Sequence, residues 1–256
     1  MNIQFRSGRI YVPPKANAVR LRRFWASSAP LPPASFDVDA AVLALTGIAI
    51  PQEMDDNNAL SCCVLASQAK FMRRYHALEV GLLINVTDQQ VKDAYFAQTG
   101  GPDDGLVPDD SFAFWASNGW AAGDDGAIHK IIGSARIDAT DAVDVQRSIW
   151  KLGGCHVGGM IPEAWINQTT PWVPLPSAPI AGGHEMYAFA YDANGIWVET
   201  WDRKQLITWP AVSWCFSESN QGEAAGIVRG VDAANPIDGL DTAALMAELN
   251  QDKEAA

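Results

Sequence analysis

The sequence predicts an α+β fold of two lobes, a helical lobe built round one central buried helix, followed by an antiparallel β-sheet lobe. Three observations carry this. Helical periodicity dominates as far as Gly153-Gly154. Beyond that point the chain becomes short apolar runs separated by turn residues. Strands and helices do not alternate as in βαβ units, which sets the class apart from parallel α/β folds.

The central helix is read over residues 59–78. Val64, Leu65, Ala69, Phe71, Met72, Tyr75 and Leu78 make an apolar face so wide that it implies burial on most sides, and Gly81 stops it. A second helix is read over 87–98, with Thr87 and Gln90 spaced as a capping box. A third covers 110–117, and a fourth lies between Thr140 and Gly153. Residues 155–161 read as a buried strand. Residues 162–182 contain five prolines and read as a loop. Strands follow at 184–191, 196–201, 205–209 and 225–228, the first two joined by a turn at 192–195.

Two flanking segments differ in texture. Residues 1–35 are broken by Pro13-Pro14 and Pro30-Leu31-Pro32-Pro33 and read as an extended arm, preferred as a surface strap over an inhibitory pro-segment lying in a cleft. The main domain then spans 36–229, divided near 153 and 154 into its lobes. Residues 230–256 form a tail with a short helix capped by Asp241 and docked through Leu245, Met246 and Leu249.

Thirty acidic and eighteen basic residues among 256 give a net charge of −12. That balance argues against nucleic acid, whose binding needs clustered Lys and Arg. No apolar run approaches the length of a membrane span, and the N-terminus lacks the pattern of a secretory signal. The expected setting is the cytoplasm, or a virus particle that carries the protein, with no membrane partner. The four cysteines, Cys62, Cys63, Cys155 and Cys215, are spaced unlike zinc ligands, and the Asp-Gly turns lack the alternation of a calcium loop. Neither a metal nor a cofactor is expected.

Chemistry gathers round two residues. Cys63 stands at the front of the central helix, where unpaired N–H groups and the helix dipole favour a thiolate. His184 follows Gly182-Gly183, a pair that admits another backbone closely, and opens an apolar strand. His76, His129 and His156 read as exposed or structural. With Asn57-Asn58-Ala59-Leu60-Ser61-Cys62-Cys63, Gly182-Gly183-His184-Glu185-Met186 and Glu199-Thr200-Trp201-Asp202, the chain resembles the papain-like cysteine peptidase superfamily, in its divergent phage, prophage and bacterial branch.

The resemblance implies roles. Cys63 would be the nucleophile, His184 the general base, and Asn57 a side-chain donor to the oxyanion. Glu199, aligned on the tryptophan, would orient the imidazole, with Thr200 as the alternative because neighbours in a strand face opposite ways. Cys62 replaces Cys63 if the register slips by one. Ser61, Cys62 and Asp202 depart from the motif, whose corresponding positions carry Gly, Asp or Ser, and Gly. The implied activity is thiol hydrolysis of peptide or isopeptide bonds in a protein substrate. The non-enzymatic alternative is a silent scaffold contacting virion or other proteins through arm and tail. Peptidoglycan amide hydrolysis ranks third, because the chain has no basic wall-binding segment.

Overall fold

The computed structural model describes residues 6–254. In chain order the regular elements are β1 (Phe36–Asp37), α1 (Val38–Thr46), α2 (Cys63–Val80), α3 (Asp88–Thr99), α4 (Pro108–Ser117), β2 (Trp120–Ala121), β3 (Ile128–His129), β4 (Gly133–Arg136) and α5 (Ala142–Leu152). They continue with β5 (Cys155–Pro162), α6 (Glu163–Ile166), β6 (Ile180–Tyr191), β7 (Gly195–Thr200), β8 (Arg203–Thr208), α7 (Trp209–Cys215), β9 (Glu223–Val228), α8 (Gly230–Ala234) and α9 (Thr242–Glu254). The α+β class and the helix-then-sheet order are as the sequence predicts.

The sheet runs β4-β9-β5-β6-β7-β8 with every neighbour antiparallel, and β1 pairs with the end of β6. β6 is its longest strand and carries His184 near its start. The loop expected over 162–182 holds one helical turn, α6, and gives way to β6 already at Ile180. α1, β4 and α7 are absent from the sequence reading. β4 reads Gly-Ser-Ala-Arg, too small and polar to register as a strand, and is held by its ladder with β9.

α2 starts at Cys63, not at residue 59. Asp55 and Asp56 have left-handed backbones, with φ of 55° and 59°. The chain therefore turns sharply, and the N–H groups of Ala59 and Leu60 both donate to the Asp56 carbonyl. Cys62 is the non-helical N-cap, which makes Cys63 the first residue of the helix. At its far end Gly81 caps in the left-handed conformation. The Thr87–Gln90 capping box of α3 is present as read. α5 is capped by Asp141 instead of Thr140, and α4 opens at Pro108, where a missing N–H costs nothing.

α2 packs against β6, α1 and α3 and is buried on nearly all sides, including at Lys70, Arg73 and Arg74. Those charges are paired. Lys70 Nζ lies 2.6 Å and Arg73 Nη2 2.5 Å from the Asp55 carboxylate. Arg74 bonds Asp39 at 2.6 Å and sits 2.7 Å from Glu199. α9 is capped by the Asp241 side chain at 3.0 Å and buries Leu245 and Leu249 against the body.

Burial pushes the Asp55 carboxyl up, but Lys70 and Arg73 together outweigh it and hold it below the ordinary value. Because the folded value lies below the unfolded one, about 3.9, its stabilisation is complete above that pH. It is lost as pH falls through the folded value. Asp55→Ala leaves two buried cations short of a partner and is expected to cost about 3–5 kcal/mol in urea unfolding at pH 7. As pH falls from the unfolded carboxylate value of about 3.9 through the lower folded value, the difference from the parent should shrink.

Candidate active site

Cys63 is fully buried at the tip of α2. The backbone N–H groups of Glu185, the residue after His184, and of Gly8 lie close enough to its sulfur to favour the thiolate. Burial pushes its thiol up to about 12, the Glu185 and Gly8 N–H groups and the Arg9 charge pulling the other way. The helix tip and the start of β6 therefore meet.

His184 is fully buried. Its Nε2 lies 2.8 Å from Thr200 Oγ1, and its ring stacks on the Trp201 indole with centroids 4.7 Å apart. Trp201 reaches that position through a left-handed backbone, φ 52°, which is strained for an aromatic residue. Burial, with the charges of Lys70 and Arg203, pulls the imidazole down to about 3. In this conformation the ring is neutral and the thiol protonated.

Glu199 does not reach the imidazole. Its carboxylate faces α2, accepts the Glu53 N–H at 3.3 Å and pairs with Arg74, with Lys70 at 3.7 Å. Of the two residues the sequence offers beside the imidazole, Thr200, on the opposite face of β7, is the one that reaches it. The physical reason is charge: two buried cations on α2, Arg74 and Lys70, claim the carboxylate. Asn57, six residues before Cys63, is 2% exposed, and its Oδ1 has no hydrogen bond among the described residues.

The other thiols stand apart. Cys62 Sγ points to the Asp55 carbonyl at 3.5 Å, away from β6, and burial raises its pKa strongly. Cys155 is enclosed in the core, and Cys215 Sγ faces the Met160 carbonyl. His156 is buried with Nδ1 2.6 Å from Ser67 Oγ. His129 and His76 gather at Asp125 on the far end of α2.

Over the sulfur lies the arm itself, in the cleft placement that the sequence reading ranked below a surface strap. Residues 7–10 of the arm run between the lobes. Gly8 and Arg9 donate their N–H groups to the Gly183 carbonyl at 3.2 and 3.3 Å, and the Gly183 N–H donates to Ser7 Oγ at 3.0 Å. On the other side the Leu106 N–H donates to the Gly8 carbonyl and Ile10 N–H to the Leu106 carbonyl, both at 2.8 Å, a parallel bridge. A Cβ on Gly8 would lie 2.3 Å from the Ser61 carbonyl and 2.9 Å from the Cys63 sulfur. One on Gly183 would lie 2.3 Å from the Arg9 carbonyl. The glycine before His184 thus admits the chain's own backbone, and only glycine fits at position 8. The signal was present at Gly183, but nothing in the arm's composition named its seat.

This arrangement, a cysteine at the tip of a buried helix against a histidine strand backed by Thr and Trp, is set in the fold of the papain-like cysteine proteases. Xylellain, a cysteine protease from Xylella fastidiosa, superposes with a TM-score of 0.61 at 14% identity, covering 90% of this chain and 98% of its own. Procathepsin B of Trypanosoma congolense gives 0.59 at 13%, covering 86% of both chains. Bromelain from Ananas comosus gives 0.56 at 16%, covering 77% of this chain and 99% of its own. No protein-family model and no curated protein matches the chain. Among the described residues no helix is long and apolar enough to cross a membrane.

Gly8→Val must displace the arm, since its side chain has no room. Iodoacetamide labelling at pH 8, mapped by mass spectrometry, should modify Cys63 at least about tenfold faster than in the parent. Cys62, Cys155 and Cys215 should stay unmodified in both.

Proposed function

We propose that the chain is a papain-like thiol hydrolase of peptide or isopeptide bonds, closed in this conformation by residues 7–10. The observation that supports it best is the meeting of Cys63 with the His184 strand, the imidazole being held by Thr200 and Trp201. With its proton on Nε2 donated to Thr200, the ring presents Nδ1 as the base. Nδ1 takes the thiol proton, and the thiolate adds to the substrate carbonyl. The Cys63 N–H, unpaired in the first turn of α2, and the Asn57 amide receive the oxyanion. The imidazolium returns its proton to the leaving amine. A water, deprotonated by the same ring, then splits the thioester and restores the thiol.

The arm's hydrogen bonds support the substrate class. Leu106 offers a backbone N–H and carbonyl, and Gly183 a carbonyl, to whatever extended chain lies over the sulfur. These are groups that recognise a peptide backbone irrespective of its side chains. Displacing the arm would free all of them at once and admit water to the thiol, lowering its pKa and raising that of the imidazole.

A second reading rests on the closure itself. A thiol sealed under its own chain also suits a scaffold without turnover, contacting virion or other proteins. Turnover separates the two. The Gly8→Val chain should hydrolyse members of a fluorogenic peptide panel, and adding Cys63→Ala should abolish this with circular dichroism unchanged. Asn57→Ala in the same background should lower kcat by about 10²–10³. A Gly8→Val chain whose Cys63 labels rapidly yet cleaves nothing supports the scaffold.

Orientation of the imidazole has its own test. Thr200→Val in the Gly8→Val background should lower kcat more than KM and broaden or shift the acid limb of the pH–rate profile. Glu199→Gln, which instead leaves Arg74 with one buried partner fewer, should show its main effect as a loss of about 3 kcal/mol in urea unfolding.

A further inference from the structure

Asp103 lies in the turn between α3 and α4. One of its oxygens, Oδ1, accepts two hydrogen bonds. The Ser61 backbone N–H donates to it at 2.7 Å, and the hydroxyl of Tyr95, on α3, donates at 2.9 Å. The same hydroxyl accepts the Gly105 N–H at 2.8 Å. One carboxylate and one phenol therefore tie the backbone two residues before Cys63 to the backbone one residue before Leu106.

We propose that Asp103 is a positioning residue for Cys63, fixing the Ser61 peptide from which the chain enters α2 and, through Tyr95, the separation between that peptide and the cleft edge at Leu106. The proposal rests on the hydrolase reading and deepens it. Three observations carry it. First, Cys62, the N-cap of α2, makes no side-chain capping bond. The N–H groups of Ala59 and Leu60 are taken by the Asp56 carbonyl, and the next backbone donor, Ser61, goes to Asp103. Second, the far end of the same loop is anchored by Asp55 on Lys70 and Arg73. Asn57 and the Cys63 N–H, the two groups offered to the oxyanion, thus belong to a segment held on either side. Hydrogen bonds to a carboxylate are of the stronger kind. A displacement of about 1 Å in such a segment can cost about a hundredfold in rate. Third, the two backbones tied together are the two that close round Gly8. A Cβ on Gly8 would lie 2.3 Å from the Ser61 carbonyl, and one on Gly105, whose φ is 84°, would lie 2.6 Å from the Gly8 carbonyl. A peptide over the sulfur would rest between the same segments, so their spacing sets how its carbonyl meets the thiol.

Unlike Asp55, Asp103 has no buried cation to neutralise. Its side chain is 24% exposed, and its one ion pair among the described residues is with the exposed Arg6 of the arm, at 3.1 Å. A pair so open to water adds little to stability. Loss of Asp103 should therefore register in the chemistry and hardly in the fold.

The test compares full-length chains in the Gly8→Val background, where the arm is already displaced and the Arg6 contact drops out. Asp103→Ala should lower kcat on the fluorogenic panel by about thirtyfold, with KM changed by less than about threefold. Asp103→Asn, whose amide oxygen can still accept the Ser61 N–H, should recover most of that loss. Tyr95→Phe leaves Ser61 on Asp103 but frees Gly105, so it should raise KM more than it lowers kcat. An unchanged kcat in Asp103→Ala, an equal loss in Asp103→Asn, or losses that simply follow a fall in melting temperature across the three variants would overturn the proposal. Should Asp103→Ala not fold, Asp103→Glu takes its place: it keeps the charge, moves the oxygens by one methylene and should lower kcat where Asp103→Asn does not. Turnover indifferent to every change at position 103 sinks the positioning role alone. No turnover of any peptide by the Gly8→Val chain sinks the hydrolase reading. Iodoacetamide labelling of Cys63 then reads its placement, slowing about tenfold in Asp103→Ala and recovering in Asp103→Asn, and equal labelling in all three chains overturns that as well.

Discussion

The burial of three cations on α2 is the constraint from which the geometry of the site follows. A helix enclosed on nearly all sides gains from apolar contact, but Lys70, Arg73 and Arg74 must then be neutralised inside the protein. Asp55 answers two of them from the loop that leads into the helix, and doing so holds that loop in its left-handed turn. The turn ends α2 at Cys63 instead of extending it by another four residues. Asp39 and Glu199 answer Arg74 from α1 and β7. The same ion pairs therefore set the position of the thiol and fix the register of β7, whose opposite face delivers Thr200 to the imidazole.

Burial has a second consequence for the chemistry. The Cys63 thiol and the His184 imidazole are both placed where neither favours charge. The thiol is driven up to about 12 and the imidazole down to about 3, in each case chiefly by desolvation. A thiolate–imidazolium pair would face the cost of two buried charges, offset only by their mutual attraction and by the N–H groups around the sulfur. On the proposed hydrolase reading, the closed form is inert for that reason.

Much of this was legible in the sequence because apolar period and turn chemistry are local. The helices with caps, the hairpin at 192–195 and the order of Cys63 before His184 rest on neighbouring residues. What escaped depends on partners distant in the chain. β4 is a strand only because β9 pairs with it, and α1 carries so few marked positions that its burial against α2 defines it. Glu199 matched the aligned position of an orienting group. The competition for its carboxylate came from Lys70 and Arg74, more than a hundred residues earlier. Gly183 announced the close approach of a backbone, but Gly8 and Ser7 have no pattern that says where they dock.

On the proposed hydrolase reading, the arm also sets a condition on any substrate. It is covalently attached, so it competes at an effective concentration that for short flexible links is of millimolar order. It uses the same backbone groups, Leu106 and Gly183, that would hold an incoming peptide, and so cannot be outbid by backbone hydrogen bonds alone. The advantage must come from side chains or from removal of the arm.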